Sequence, residues 1–277
     1  MTSVIDRPRR PSPPPGASAQ GTDQRALFVL RGIGQTLVTL GCVVALFVVY
    51  EVWITNLFAD RNNRHNISVL KQEWMSGDDP LLPLPGQQRS GHIPVGKGIG
   101  ILYIPRFGID YHEAIIEGDP TPSRDQLSQG VPHYGSTAVP GQVGNFAVAG
   151  HRVGHGSPFL NLDHLRAGDA VVVETKSFWY VYRVKGTPWG SDPADSRDAD
   201  GLPGREIVGW NDGDVLLPHP DHPGMVATEA LMTMTTCHPK FLSTHRMVIY
   251  SLLQTKVPST GIAMPAAITA LYSQARS

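Results

Sequence analysis

From Ile33 to Tyr50 the chain runs eighteen residues without a charged side chain, broken only by Gln35, Thr36 and Thr39 among polar groups. Few folds accept a helix that is apolar on every face. A core helix keeps a polar side, whereas a bilayer span does not. Val52, Trp53 and Ile54 extend the stretch beyond Glu51, so residues 33–54 read as a transmembrane signal-anchor helix. The apolar stretch is too long for a signal peptide, and no small-x-small cleavage pattern follows it. Arg7, Arg9, Arg10, Arg25 and Arg31 precede it, against Arg61, Arg64 and Lys71 on the near side of its far flank. That bias predicts a cytoplasmic head and an extracytoplasmic C-terminal domain.

The anchor fixes the remaining partition. Residues 1–32, rich in proline near the start, read as a disordered cytoplasmic tail. Residues 55–97 read as an extracytoplasmic stalk and linker. Up to residue 76 they lack proline and glycine and can continue a helix, while residues 77–98 hold four prolines and five glycines. A folded domain is expected over 98–255, with a tail at 256–277. The formal net charge is −1 and no basic run marks the domain, which argues against a nucleic-acid partner.

Within the domain, glycine and proline punctuate short apolar runs, the pattern of an all-β barrel or sandwich. Expected strands are Gly100–Ile104, His112–Ile116, Asn145–Ala149, Ala170–Thr175, Phe178–Val184, Glu206–Val208, Asp214–Leu217, Leu231–Thr236 and Arg246–Leu253. Short helices or turns fit Arg124–Gln129 and Asn161–Arg166. Gly186–Gly204 is polar and reads as a long exposed loop.

The chain has two cysteines, and Cys42 lies in the span. Cys237 therefore has no intramolecular disulfide partner, and is either an inert buried thiol or a free reactive one. It closes the run Ala230–Cys237. A second run, Asn145–Ala149, ends at Gly150 and presents His151, and Arg246 heads a third. A thiolate can attack an acyl carbon, an imidazolium can protonate a leaving amine, and a guanidinium can hold an oxyanion. Spacing alone does not distinguish this trio from unrelated residues. Arg152 also adjoins His151. His151 and His155 are four apart, but the intervening glycines argue against the helix that metal-binding spacing needs. No metal or other cofactor is expected. His219 and His222 read as solvated loop residues.

Thr233-Met-Thr-Thr-Cys237 resembles the Thr-Leu-x-Thr-Cys signature of sortases, with methionine in the leucine position. Asn145–Arg152 is similar to the strand that delivers the histidine in that family, and Arg246 falls where its arginine does. Ile104-Pro-Arg-Phe-Gly108, His133-Tyr134, Pro140–Asn145 and Thr236-Cys-His-Pro239 resemble class E sortases of actinobacteria. The resemblance implies a closed eight-stranded β-barrel with short helices. It implies a membrane-anchored cysteine transpeptidase that cuts a Leu-Ala/Pro-x-Thr-Gly sorting motif between Thr and Gly through a thioester. Its partners would be secreted proteins bearing that signal and an amine from a peptidoglycan precursor or a pilin. Cys237 would be the nucleophile, His151 the acid and base, and Arg246 the oxyanion or substrate support. Tyr134 would select alanine at the second motif position, and Thr236 would help position substrate. A sortase-fold enzyme that mainly hydrolyses, or a silent peptide-binding module, are the alternatives. Val257-Pro-Ser-Thr-Gly261 and the apolar stretch after it mimic a sorting signal, either by chance or as a pseudosubstrate for the groove.

Overall fold

The computed structural model describes residues 20–50, 55–77, 79–81, 93–118, 126–197, 201–261 and 263–275. Two compact units emerge, Met1–Tyr50 and Glu51–Ser277. The first contains helix α1, Gln20–Val49. Its stretch Leu27–Val49 has 23 residues and a mean hydropathy of 2.1. At 1.5 Å per residue it is about 35 Å long, enough to cross a bilayer core. The apolar helix thus begins six residues before Ile33, and the extension through Val52–Ile54 lies outside the described residues.

The second unit is built on nine strands: β1 Gly98–Tyr103, β2 His112–Gly118, β3 Val131–Tyr134, β4 Gly144–Ala149, β5 Ala170–Glu174, β6 Phe178–Val184, β7 Arg205–Gly209, β8 Ala230–His238 and β9 His245–Pro258. The order is β6-β5-β1-β2-β3-β4-β8-β9, and β6 pairs with β9 to close an eight-stranded barrel. Strand β9, fourteen residues long, makes the closure possible. Its first half pairs with β7, as in Val208 opposite Arg246, and its second half pairs with β6, as in Tyr182 opposite Leu253. Strand β7, paired only with β9, therefore flanks the barrel and is not one of its staves.

The barrel interior is filled by Ile115, Val131, Phe146, Val148, Val171, Val173, Tyr182, Met232, Met234 and Ile249 among others. A bulge between Gly98 and Gly100 turns Ile99 inward, while Ile101 and Tyr103 face out. Those outward residues are covered too. Helix α2, Thr55–Ser76, brings Leu70, and helix α3, Ala266–Gln274, brings Ile268 and Leu271 onto Tyr103, Val172, Trp179 and Val181. Strand β5 is buried along its whole length for this reason, and its run of valines needs no polar face.

Three expectations change. The helical segment read as a stalk is α2, which packs against the barrel. It is held at β2 by Asn63, whose amide donates to His112 O (2.8 Å) and accepts from Ala114 N (2.8 Å). The strand expected over Asp214–Leu217 is instead a 3-10 turn, Asp214–Leu216. The pseudosubstrate tail does not line the cleft that holds Cys237 and His151: Val257 and Pro258 finish β9 opposite Trp179 and Phe178, and the apolar stretch beyond them forms α3. Of the helical segment expected at 124–129, Gln126–Ser128 is a 3-10 turn, and Arg124 lies outside the described residues.

Candidate active site

Met232 and Met234 point into the barrel, so Thr233, Thr235 and Cys237 alternate onto its outer face. On one side β8 runs parallel to β4, with Ala149 opposite Thr235. Two residues further, the same register brings His151 alongside Cys237. On the other side Arg246 of β9 is the direct antiparallel partner of Cys237. Such partners share a face, with Cβ atoms about 5 Å apart. The three residues singled out in sequence thus stand side by side at the ends of three adjacent strands.

Main-chain bonds fix the histidine. Gly150 N donates to Thr235 O (3.1 Å), and Phe159 N donates to His151 O (3.0 Å). The Phe159 ring lies so close to Gly150 that any Cβ there would meet it at 2.5 Å, which is why the position before His151 needs glycine. Thr236 donates its hydroxyl to Gly150 O at 2.8 Å and is buried. That hydroxyl is engaged with the peptide that delivers His151 and does not face the groove. The rings of His151 and His155 stack at 5.0 Å.

His151, Arg152, Val153, Cys237, Phe241 and Ser243 line a cleft of about 270 Å³. Phe241 is 83% exposed in the β8–β9 loop and adopts φ 73°, a costly conformation for a bulky side chain. Arg246 is partly buried, and its Nη1 donates to Ser243 O (3.3 Å) and His245 O (3.0 Å). No described residue takes its Nε or Nη2.

Arg152, secondary in the sequence reading, is more deeply embedded than Arg246, with 3% of its surface exposed. Its Nη2 pairs with Asp163 Oδ2 at 2.9 Å, and Lys240 Nζ lies 3.6 Å from the same oxygen. Its Nη1 donates to His238 Nδ1 at 2.9 Å and, more weakly, to Cys237 O at 3.4 Å. Burial pushes the Asp163 carboxyl up, but Arg152, a main-chain bond and Lys240 outweigh it and hold it below the usual carboxylate range. Burial, then the Arg152 charge, hold His238 below the usual imidazole range. The only sequence hint of this cluster is the adjacency of Arg152 to His151, since Asp163 and His238 come from distant segments.

Tyr134 follows the inward-facing His133 and so points outward, beside Ala147 of β4. Ala147 and Ala149 present only methyl groups on that face of β4, beyond Asn145. The phenol reaches across to β8, where its hydroxyl lies 2.9 Å from Thr235 Oγ1, two residues before Cys237. Behind it, a buried knot holds the loop. His133 Nδ1 meets Glu117 Oε2 at 2.8 Å, and His133 Nε2 meets Ala138 O at 2.9 Å. Thr137 donates its hydroxyl to Tyr134 O at 2.7 Å. His219, read as solvated, is buried against His222 in an edge-to-face contact at 4.6 Å.

The sequence profile of the Sortase domain matches residues 102–254. Sortase SrtE2 of Streptomyces coelicolor is 32% identical over 231 residues, covering 80% of this chain and 80% of its own length. Sortase SrtE1 of the same organism is 31% identical over 239 residues, 84% of this chain, and the chain spans 59% of SrtE1's length. Among solved structures, the SrtF sortase from Corynebacterium diphtheriae superposes with a TM-score of 0.55 at 35% identity, covering 68% of this chain and 98% of that one.

Proposed function

The chain belongs to the sortase family of cysteine transpeptidases, and on that premise we propose that it cleaves a Leu-Ala/Pro-x-Thr-Gly-type sorting motif between Thr and Gly and transfers the acyl group to a cell-wall amine. The observation that carries the reading is the alignment of His151, Cys237 and Arg246 across β4, β8 and β9, with His151 and Cys237 lining one cleft.

In the first half-reaction the Cys237 thiolate attacks the threonine carbonyl carbon and a carbon–sulfur bond forms. The oxyanion develops on the outer face that Arg246 shares with Cys237, where a guanidinium offers fixed donors. The carbon–nitrogen bond to glycine breaks as the His151 imidazolium protonates the leaving amine, and a thioester remains. In the second half-reaction an acceptor amine attacks that thioester and neutral His151 takes its proton. The carbon–sulfur bond breaks, restoring thiolate and imidazolium. Tyr134 stands on the same outer face and serves as the selector of the second motif residue. Helix α1 anchors the enzyme as a single-pass membrane protein, with the barrel outside the cytoplasm. The proteins it anchors are secreted chains with a C-terminal signal.

The test uses the full chain in detergent with Leu-Ala-x-Thr-Gly and Leu-Pro-x-Thr-Gly peptides, with and without an amine acceptor, read by mass spectrometry. A Thr–Gly cut with acyl transfer, lost in Cys237→Ala, is expected. Cleavage to the free acid despite saturating acceptors would replace transfer by hydrolysis. No cleavage of either peptide would remove this motif class.

A further inference from the structure

The largest polar investment beside the cleft is one that the reaction above does not use: a buried guanidinium touching the backbone of the nucleophile. We propose that Arg152 is a positioning residue for Cys237, fixing the end of β8 through the Cys237 carbonyl and the His238 ring while Asp163 holds its own guanidinium in place. The proposal rests on Cys237 being the nucleophile, but not on which peptide it attacks.

The geometry assigns each donor a task. Nη2 faces Asp163 Oδ2, and Nη1 faces both His238 Nδ1 and Cys237 O. A guanidinium nitrogen only donates, so His238 Nδ1 must accept. The ring is then neutral, with its hydrogen on Nε2, in keeping with its depressed proton affinity. Residues 237 and 238 are thus held from one side, by a planar fork that cannot swivel without losing Asp163. Lysine, with a single ammonium, cannot span these three acceptors in the same plane.

A purely structural role explains the cluster less well. Removing a guanidinium from water costs several kcal/mol, and an apolar residue would fill the space without that cost. The pair is also poorly optimised as a stabiliser, because Arg152 Nε and Asp163 Oδ1 are buried without a protein partner. What the arrangement does supply is a rigid hold on the carbonyl side of Cys237, at the end of β8. Asp163 holds the Arg152 guanidinium against the end of β8, and Lys240 shares the same carboxylate oxygen.

The experiment measures the alkylation rate of Cys237 by iodoacetamide in the full-length protein, followed on the Cys237 peptide by mass spectrometry so that Cys42 does not contribute. Arg152→Met should lower the rate by about tenfold at fixed pH, as expected when the strand end that carries the thiol is no longer held in one orientation toward the cleft. Near-ultraviolet circular dichroism should show a folded protein. Arg152→Lys, which keeps charge and bulk but not the fork, should fall between Met and wild type. With peptide substrate, kcat should drop and KM should stay close to wild type. If Arg152→Met does not fold, Arg152→Lys decides alone, and a wild-type alkylation rate there overturns the proposal. So does a wild-type rate in folded Arg152→Met. Alkylation needs no peptide, so a wild type that turns over no sorting motif would sink the transpeptidase reading and leave this test standing.

Discussion

Arg246 faces Cys237 across a strand pair, yet its Nη1 already serves the main chain of its own loop. Those bonds hold the guanidinium over the outer face before substrate arrives, and such preorganisation is what makes a donor effective at an oxyanion. Arg246→Ala should therefore lower kcat by about 100-fold or more with a smaller change in KM, measured by steady-state peptide cleavage. A loss confined to KM would assign Arg246 to ground-state binding. For Tyr134 the proposed role is selection of the second motif residue. Its hydroxyl is tied to Thr235, two residues before Cys237. Tyr134→Phe keeps the ring and frees it to move. It should cost about 1 kcal/mol of stability and narrow the ratio of kcat/KM between alanine and proline peptides several-fold. An unchanged ratio in both Tyr134→Phe and Tyr134→Ala would assign the tyrosine to packing alone.

At the scale of elements, the first turns of α2 finish the sheet. Strand β2 pairs with β3 only from Ile115 onward, so His112 O and Ala114 N lack a strand partner on that edge. The Asn63 amide supplies the missing acceptor and donor. Asn63→Ala leaves both groups unpaired and should cost about 1–3 kcal/mol in urea unfolding. The same junction carries a pH dependence. Burial, with Asp60 of α2 adding repulsion, pushes Glu113 up to about 8 from 4.5. The folded state therefore binds a proton that the unfolded state has lost, and stability falls as pH rises from 4.5 to 8. The total is roughly 3–5 kcal/mol, levelling off above pH 8. Glu113→Gln should match wild type near pH 4.5 and exceed it by that amount at pH 8.5. Parallel wild-type and mutant curves of melting temperature against pH would mean that Glu113 ionises normally.

The whole molecule explains which features the sequence disclosed. Phe178–Val184 was legible to the residue because β-branched and aromatic side chains form an uninterrupted run. The candidate trio was legible only through motifs, since nothing in the spacing of His151, Cys237 and Arg246 specifies that β4, β8 and β9 are neighbours. Strand β3 escaped because Pro132 breaks the pattern of its four residues; it is held instead by parallel pairing to β2. Arg152 and Asp163 escaped because their meeting is purely tertiary. The C-terminal helix hid in plain composition, its apolar stretch too short for a membrane but right for a face that β1, β5 and β6 leave uncovered. That face lies on the other side of the barrel from the strand ends that carry Cys237. Ile268 and Leu271 cover it, and Arg106 ties it down by donating to Ala275 O at 2.6 Å while gripping Asp169. Deleting residues 260–277 should thus cost stability without touching chemistry. Losing the buried side chains of Ile268, Leu271 and Tyr272 predicts a loss of about 5 kcal/mol, a clear drop in melting temperature. The fraction that stays folded should retain wild-type kcat and KM. A fall in KM on deletion would mean that the tail competes with substrate, and would return it to the groove as a pseudosubstrate. A fall in kcat at unchanged melting temperature would mean that the two faces of the barrel are coupled through its core.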